Sequence, residues 1–256
     1  MQAALLLNFV PTFVLVFFRL AGMMLFAPLF GSSRIPRRVR AMLVLVLALG
    51  VAPTVPRATL PTATSELAMA IGGEMAFGLA MGMALSLVFV AAQWAGELIG
   101  QQMGLNLSEV FDPQFGSSGS VLGEMYFMLT LVVFLLVRGH HAMLAGVRDS
   151  FTALPLMSVG VDRNVFDTTI GLLGGTTVLA IRLAAPMLVT MLIVDLVLGL
   201  IGKSMPQMNV MSAGLTLRSV VGMVIVIVGL SLTSGVIRDA VYRAMIEAKA
   251  GWVKAT

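Results

Sequence analysis

The sequence predicts an all-α membrane protein, because it is rich in hydrophobic residues, poor in charged ones and free of long polar stretches. Hydrophobic residues make up 59 % and charged residues 11 % of its 256 residues, whereas a soluble domain typically carries about 25 % charged residues. The mean hydropathy is +1.01. With so few charged groups, the folded chain has to present apolar surface to lipid or to partner subunits. The lack of polar interruption favours one continuous membrane unit.

The lengths of the apolar runs predict long, kinked helices and helical hairpins. The runs lie at about residues 3–30, 41–55, 67–100, 125–137, 168–201 and 215–237. A helix needs about 20 residues to cross the hydrocarbon core. The third run would extend about 51 Å as a straight helix, so it has to kink or protrude from the bilayer. The fourth run is short for a span, so the six runs are not six regular transmembrane helices.

Basic residues at two places along the chain bear on its membrane topology. One cluster follows the first apolar run and the other lies in the C-terminal tail: Arg34, Arg37, Arg38 and Arg40, and then Arg238, Arg243, Lys249 and Lys254. The positive-inside rule predicts that both regions are cytoplasmic. Six simple spans would place them on opposite sides, whereas a re-entrant segment at 125–137 places them on one side. The alternative is that some apolar runs do not lie in lipid.

The sequence contains none of the residue constellations that enzymes use. Cysteine is absent, which excludes disulfides, thiolate metal sites and cysteine nucleophiles. The two histidines, His140 and His141, point about 100° apart on a helix, so they do not bind one metal from one helix face. Gly202-Lys203-Ser204 resembles the end of a phosphate-binding loop, but Val197 stands where its first glycine is needed. We expect no catalytic activity, cofactor, metal or nucleic-acid partner.

Charged residues inside the apolar runs are candidates for a special role. They are Arg19, Glu74, Glu97, Arg182 and Asp195. A charge in the membrane interior costs several kcal/mol unless it is paired or faces water. These residues therefore either pair between helices or subunits, or line a polar conduit. Asp195 and Lys203 are about 12 Å apart along a helix and do not pair directly.

Small residues recur at the spacing that lets two membrane helices approach closely. The sets are Gly78 with Gly82, Gly96 with Gly100 and Gly104, and Gly171 with Gly175. Each set places a flat stripe along one helix face, against which another backbone can pack. The pattern predicts tight helix packing and does not identify the partner.

The segment from Gly100 to Gly123 is polar and glycine-rich, although apolar helices flank it. It is interrupted at Pro113, and it contains Glu109 and Asp112 but no Lys or Arg. Such a segment is either an ordinary aqueous loop or non-helical backbone that lines or closes a water-filled passage. Lipid tolerates the second arrangement only where protein surrounds it.

Three motifs carry a family resemblance. They are Gly100-Gln101 through Gly104 to Phe111-Asp112-Pro113; Gly139-His140 with Ser150-Phe151 and Leu154-Pro155; and Asp195 to Lys203 followed by Pro206 to Val210. On these motifs the chain resembles the FliR family of flagellar export-gate subunits, called SctT in injectisomes, over nearly its whole length. The resemblance implies a multi-pass subunit of the bacterial inner membrane, in the flagellar basal body.

The resemblance also implies an architecture and partners. FliR-like subunits combine a FliP-like part, here 1–167, with a FliQ-like helical hairpin, here 168–237, and a polar tail follows at 238–256. They assemble with FliP- and FliQ-like subunits, with an FlhB-like subunit alongside. The resulting hetero-oligomer is a type III secretion channel that passes unfolded flagellar proteins across the membrane.

Two sets of functional residues follow from the resemblance. A central loop at about 104–120 plugs the closed pore; its residues are Gly104, Asn106, Phe111, Asp112, Pro113, Gly116 and Gly119. The tip of the hairpin forms a subunit interface; its residues are Asp195, Lys203, Pro206, Gln207 and Asn209. A glycine-rich plug has little local structure to lose on opening, which fits the first role.

Three alternatives stay open at this point. The internal charges and the broken central segment would also fit a stand-alone secondary transporter or channel, although no internal repeat of the span pattern is visible. A structural membrane scaffold would leave the central loop merely solvated. An injectisome export gate would use the same architecture for virulence secretion.

Overall fold

The chain is helical throughout the part that its structure describes. The computed structural model describes residues 2–28, 30–31, 35–56, 64–105, 120–157, 163–204 and 210–253. The helices are α1 (Gln2–Phe26), α2 (Arg37–Val51), α3 (Thr64–Gln102), α4 (Val121–Leu136), α5 (Gly139–Ala153), α6 (Arg163–Ser204) and α7 (Val210–Val253), with a 3-10 turn at Ala52–Thr54. No strand occurs in these ranges. The predicted all-α membrane fold is confirmed.

Three helical segments in the described ranges are long and apolar enough to cross a membrane. They are Phe9–Phe26 in α1, Thr64–Gln102, which is the whole of α3, and Leu173–Ser204 in α6. Two bent pairs, α4 with α5 and the two halves of α7, bring the number to five if each pair is one span. The chain is therefore a multi-pass membrane protein.

The longest apolar run forms a single helix. Helix α3 has 39 residues, which corresponds to about 58 Å, whereas the hydrocarbon core is about 30 Å thick. Its interior contains no proline, and Glu66 in its first turn complements the positive end of the helix dipole. Nothing in the sequence interrupts α3, so it extends beyond the hydrocarbon core as one helix.

The bends occur elsewhere, at positions with a local cause. Helices α4 and α5 meet at 68°, where Arg138 adopts a left-handed backbone conformation with φ 55°. Helix α7 bends by 53° between Leu230 and Thr233. The hydroxyl of Thr233 donates to the carbonyl of Gly229 at 2.9 Å, and such back-bonding bends helices. The α4–α5 pair has the geometry of either a broken span or the predicted re-entrant segment.

The chain forms two compact units, each built from separate stretches of sequence. Unit 1 comprises Met1–Leu87, Phe134–Gly174 and Val241–Thr256. Unit 2 comprises Val88–Val133 and Gly175–Ala240. Helix α6 begins at Arg163 and α7 continues to Val253. The FliP-like part at 1–167 and the hairpin at 168–237 stay predictions.

Glycines in unit 1 bring α1 and α3 into backbone contact. A Cβ atom added to Gly78 would collide with the carbonyl oxygen of Arg19, and one added to Gly82 with that of Met23. In return, a Cβ at Gly22 would collide with the backbone of Met75. The stripe predicted at Gly78 and Gly82 therefore lies on the backbone of α1, with a matching glycine on α1 itself.

The other two stripes differ from each other. In unit 2, Gly96 of α3 lies against the backbone of α4, since a Cβ there would come within 2.7 Å of the Gly123 Cα. By contrast, Gly171 and Gly175 of α6 have no heavy atom within 4 Å of such a Cβ in the part of the chain that is described. Among the described residues, the last stripe packs against nothing.

The α1–α3 contact predicts a strong position dependence for alanine substitution along α3. Gly78→Ala forces two backbones apart, and we expect it to destabilise the protein by about 1–3 kcal/mol. Gly72 lies in the same helix with open space around it, so Gly72→Ala should be neutral or stabilising by up to about 1 kcal/mol. Thermal unfolding of both variants in detergent measures the difference, and equal transition temperatures would contradict the close contact.

Candidate functional site

A charged cluster is completely buried in unit 1. The guanidinium of Arg19 on α1 donates from Nε to Oε2 of Glu74 on α3 at 2.5 Å, and both side chains have 0 % exposure. Its Nη1 donates to the Ser150 hydroxyl at 3.1 Å, and its Nη2 donates to the Leu154 carbonyl at 3.2 Å. The second carboxylate oxygen of Glu74 accepts from the N–H of Met157 at 3.1 Å. The pair thereby connects α1, α3, α5 and the turn after α5.

Two aromatic rings enclose the guanidinium. Phe77 and Phe151 lie 4.8 Å and 4.3 Å from the Arg19 Cζ, measured to the ring centroids. Cation–π attraction is strongest where water is excluded, as it is here. Breaking a buried pair by removing one partner typically costs about 3–5 kcal/mol, because the other charge is left uncompensated. The cluster therefore fixes α1, α3 and α5 to one another, and the side chains of Arg19 and Glu74 have no exposed surface.

A second ion pair joins the two long helices of unit 2. Nη2 of Arg218 on α7 lies 2.7 Å from Oδ1 of Asp195 on α6, with 40 % and 37 % of the two side chains exposed. Sequence analysis identified Asp195 but missed its partner. The signal was available, because residues 195 and 218 are nearly equidistant in sequence from the five residues 205–209 that separate the two helices. Antiparallel helices with a short connection align such positions.

The remaining predicted charges lie in other settings. Glu97 is half-buried on α3, and its Oε1 accepts from the Gln93 amide at 3.2 Å. Arg182 is exposed on α6, and Lys203 is exposed in the last turn of that helix. These three side chains are not brought together with the buried cluster. Pro206, Gln207 and Asn209 lie outside the described residues.

The root of the central loop is built by the end of α3. Gly104 adopts a left-handed conformation with φ 74°. Its N–H donates to the Gln101 carbonyl and the N–H of Leu105 donates to the Gly100 carbonyl, both at 3.0 Å. This pair of bonds is a Schellman motif, which satisfies carbonyls at a helix C-terminus and favours glycine at its left-handed position.

Met103, one residue before that glycine, is anchored in unit 2. Its side chain is fully buried, and its carbonyl accepts from the Ser219 hydroxyl of α7 at 3.0 Å. A Cβ added to Gly222 would come within 2.8 Å of the Met103 Sδ and of the Met187 Cε. The absence of a side chain at Gly222 thus leaves the space that Met103 occupies between α6 and α7.

The other end of the central loop is fixed by a helix cap. Ser120 is buried, and its hydroxyl oxygen accepts from the N–H of Gly123 at 3.4 Å in the first turn of α4. Serine is among the preferred residues at this N-cap position. Between the two fixed ends, the predicted plug residues lie outside the described part of the chain: Asn106, Phe111, Asp112, Pro113, Gly116 and Gly119.

Within the described ranges, no group of three or more His, Cys, Asp or Glu residues is placed to hold a metal ion. His140 and His141 lie side by side on α5 with ring centroids 4.5 Å apart. The two ion pairs, Arg19–Glu74 and Asp195–Arg218, connect helices. The ends of the central loop are held by uncharged contacts at Met103, Gly104 and Ser120.

These observations define the class of the protein, a multi-pass helical membrane protein with internal ion pairs and an anchored central loop. Residues 10–244 match the family of bacterial export proteins, family 1. The match covers most of the chain, so the chain belongs to this family. Its membership and its apolar helices make it a protein of the bacterial inner membrane.

Curated relatives agree with this assignment. The chain is 28 % identical over 238 residues to the flagellar biosynthetic protein FliR of Bacillus subtilis, covering 91 % of this chain and 92 % of that protein. It is 30 % identical over 217 residues to FliR of Pectobacterium carotovorum, covering 85 % and 83 %. It is 28 % identical over 215 residues to the surface presentation of antigens protein SpaR of Shigella flexneri, covering 83 % and 82 %. The predicted resemblance to the FliR and SctT family is confirmed.

The buried cluster predicts a large, coupled effect of substitution. Arg19→Met leaves the Glu74 carboxylate buried without its cation, so we expect a loss of about 3–5 kcal/mol in the free energy of unfolding. Glu74→Gln leaves Arg19 unpaired in the same way. The double variant should lose less than the sum of the two by more than about 1 kcal/mol. Denaturation of the parent, the two single variants and the double variant in detergent gives this coupling free energy. Additive losses would show that Arg19 and Glu74 do not stabilise the fold as a pair.

An exposed arginine of the same unit provides the control. Arg148 lies 3.2 Å from Asp149, and 65 % and 46 % of their side chains are exposed. Exposed pairs contribute about 0–1 kcal/mol. Arg148→Met should therefore unfold almost as the parent does.

Substitution of Asp195 or Arg218 should destabilise the protein less than substitution of Arg19 or Glu74, and exchange of the two charges should restore the stability. Asp195→Asn should cost about 0.2–1 kcal/mol, because both side chains are partly exposed and solvent screens them. Arg218→Gln should cost a similar amount, whereas the exchange of both charges in D195R/R218D should restore most of the stability. The measurement is again the free energy of unfolding in detergent. An exchange variant less stable than either single variant would show that the helices are not aligned at these positions.

Proposed function

We propose that this chain is a subunit of the flagellar type III protein export gate. The observation that carries the proposal is membership of the bacterial export family over residues 10–244, with several relatives named as flagellar biosynthetic proteins. In this role the chain forms, with FliP- and FliQ-like subunits and an FlhB-like subunit alongside, the channel that passes unfolded flagellar proteins across the inner membrane. In this proposal the chain is a structural part of the channel and not an enzyme.

The long helices α6 and α7 support a place inside a hetero-oligomer. Only 22 % of the candidate span in α6 is buried within the chain, against 67 % for α3. Large apolar side chains such as Leu192, Leu196 and Val228 are 65–69 % exposed. The open glycine stripe at Gly171 and Gly175 offers a surface for close helix contact. Partner subunits are proposed to cover these faces.

The proposed interface continues to the tip of the hairpin. Lys203 is exposed at the end of α6, where its charge complements the negative end of the helix dipole. Asp195 orients Arg218 two turns into α7. Together with Pro206, Gln207 and Asn209, these groups are proposed to contact neighbouring subunits. Arg182, exposed on the same helix, and the half-buried Glu97 are proposed to find ionic partners in the assembly.

The central loop is proposed to plug the closed channel. Both of its ends are held, one by the Schellman motif at Gly104 and the anchored Met103, the other by the Ser120 cap. The loop between them has acidic but no basic residues, which disfavours its adsorption to an anionic lipid surface. A short segment tethered at two fixed ends can close a passage without being part of its wall.

An injectisome export gate is the second candidate. The observation in its favour is the similarity to SpaR of Shigella flexneri, a surface presentation of antigens protein. Deletion of the gene separates the two roles. Loss of flagellar filaments and motility supports the flagellar gate. Normal motility together with loss of secretion of non-flagellar proteins supports the injectisome.

The plug predicts a leak when the loop is replaced. Residues 106–118 are exchanged for a Gly-Ser linker of equal length, which keeps both anchored ends and removes Phe111 and Pro113. We expect the assembled, reconstituted complex to conduct ions in the closed state, because a featureless linker does not fill the channel. Ion flux across vesicles measures the leak, with Gly72→Ala as the control that leaves the loop intact.

Two outcomes would contradict the plug. A linker variant as tight as the parent would show that other groups close the channel. Failure of a photo-cross-linker at Phe111 or Gln114 to reach any partner subunit in the closed complex would favour a solvated loop on a scaffold.

A further inference from the structure

Helix α2 is the helix least accounted for by the export-gate role. It has 15 residues, about 22 Å in length, and so is shorter than the hydrocarbon core. One narrow stripe, formed by Val44 and Ala48 and continued by Ala52, is buried against α1. A helix this short and buried along only one stripe does not cross the bilayer by itself.

The opposite face of α2 is apolar and open. Val39, Met42, Leu45, Val46 and Leu49 are 46–69 % exposed. Positions 38, 42, 45 and 49 lie on one side of a helix, since 3.6 residues make a turn. Arg38 therefore stands at the end of the same stripe as Met42, Leu45 and Leu49. The exposed face of α2 combines apolar side chains with a cation at its N-terminal end, as helices that lie in the membrane interface do.

The N-terminal part of the sequence carries charge of one sign. The first 65 residues contain six arginines and no Asp or Glu, and the first acidic residue is Glu66. Arg19, Arg148, Arg218 and Arg238 each have an acidic partner within 4 Å. Exposed Arg37 and Arg38 have none among the described residues.

The position of these arginines adds to the need for an anion. They lie in the first turn of α2, which contains no acidic residue and no side-chain cap. The N-terminal end of a helix is itself partially positive. Two further cations there raise the local positive potential, which a negatively charged group from outside the described residues would offset.

We propose that α2 lies along the cytoplasmic membrane surface and binds anionic phospholipid. The exposed stripe contacts the acyl chains, and Arg37 and Arg38 contact the phosphate and headgroup charges. Lipid is favoured over a protein partner because the cations adjoin a broad apolar face without any polar group that would specify a protein contact. Arginine near an anionic leaflet attracts it electrostatically, and the apolar stripe fixes the depth of the helix.

Lipid titration of the purified complex tests the charge component. Native mass spectrometry follows binding of phosphatidylglycerol and phosphatidylcholine to the parent and to R37Q/R38Q. We expect the affinity of the tightest phosphatidylglycerol site to fall about fivefold for each arginine, or about thirtyfold for both, with phosphatidylcholine binding unchanged. R37K/R38K should stay within a few-fold of the parent, because a lipid surface attracts either cation.

The matched control removes two arginines that already have acidic neighbours. In R148Q/R238Q the same charge is lost at exposed positions next to Asp149 and Asp239. This variant should bind phosphatidylglycerol as the parent does. Parent-like affinity in R37Q/R38Q, or an equal loss in both double variants, would overturn the proposal.

A second measurement determines whether lipid or protein covers the apolar face of α2. The chain has no cysteine, so Met42→Cys and Val228→Cys each introduce one labelling site, and both native side chains are 69 % exposed. The complex carrying a fluorescent label is placed in bilayers with brominated phosphatidylglycerol or brominated phosphatidylcholine. Signal from label on the parent complex is subtracted.

The proposal expects brominated phosphatidylglycerol to quench the label at position 42 several-fold more than brominated phosphatidylcholine does. Position 228 has no arginine within nine residues and lies on a face that partner subunits are proposed to cover. The label there should show no preference between the two lipids. Equal quenching at both positions would remove the anionic preference. Absence of quenching at 42 together with a cross-link to another subunit would show that protein covers α2, and would leave the export-gate role standing.

Discussion

A charge inside a membrane protein has to find its partner within the protein, and the Arg19–Glu74 pair in unit 1 is organised around this constraint. The guanidinium uses three of its nitrogens on three different groups, and the carboxylate uses both of its oxygens. The contacts come from α3, from α5 and from the turn that follows α5. The network therefore satisfies two desolvated charges and, in the same act, specifies which helices meet. A hydrophobic core alone would hold these helices together with much less specificity, because many apolar arrangements have similar free energies.

The pair depends in turn on residues that have no side chain. The carbonyl of Arg19 occupies the place where a Cβ of Gly78 would stand, and Gly22 accepts the backbone of Met75. Close backbone approach shortens the distance across which Arg19 has to reach Glu74. The same principle recurs in unit 2, where Gly222 leaves room for Met103 at the root of the central loop. Glycine positions thus set the geometry that the polar contacts then fix.

Sequence analysis predicted the features that depend on local composition. The helical type follows from hydropathy, although α5 lies outside the six apolar runs. Arg19 and Glu74 were identified because a charge in an apolar run has a high cost. Their partners were not, since Ser150 and Leu154 lie 131 and 135 residues away from Arg19, and no local pattern encodes such a distance. Kinks in long helices were predicted, but not the positions of the bends. They occur at Arg138 and near Thr233, where backbone conformation and a side-chain hydrogen bond act, and hydropathy is insensitive to both. Most of the predicted plug lies outside the described residues and stays a prediction.

The separation of Arg19 and Glu74 along the chain has a consequence for biosynthesis. The two residues are 55 positions apart, and ribosomes add about 5–20 residues per second. The arginine is therefore added to the chain about 3–11 s before its carboxylate partner. During that interval α1 carries an uncompensated cation, and its stable insertion into lipid has to wait for α3 or rely on the insertion machinery. The order in which the helices enter the membrane is thus constrained by a contact that forms only after both have been made.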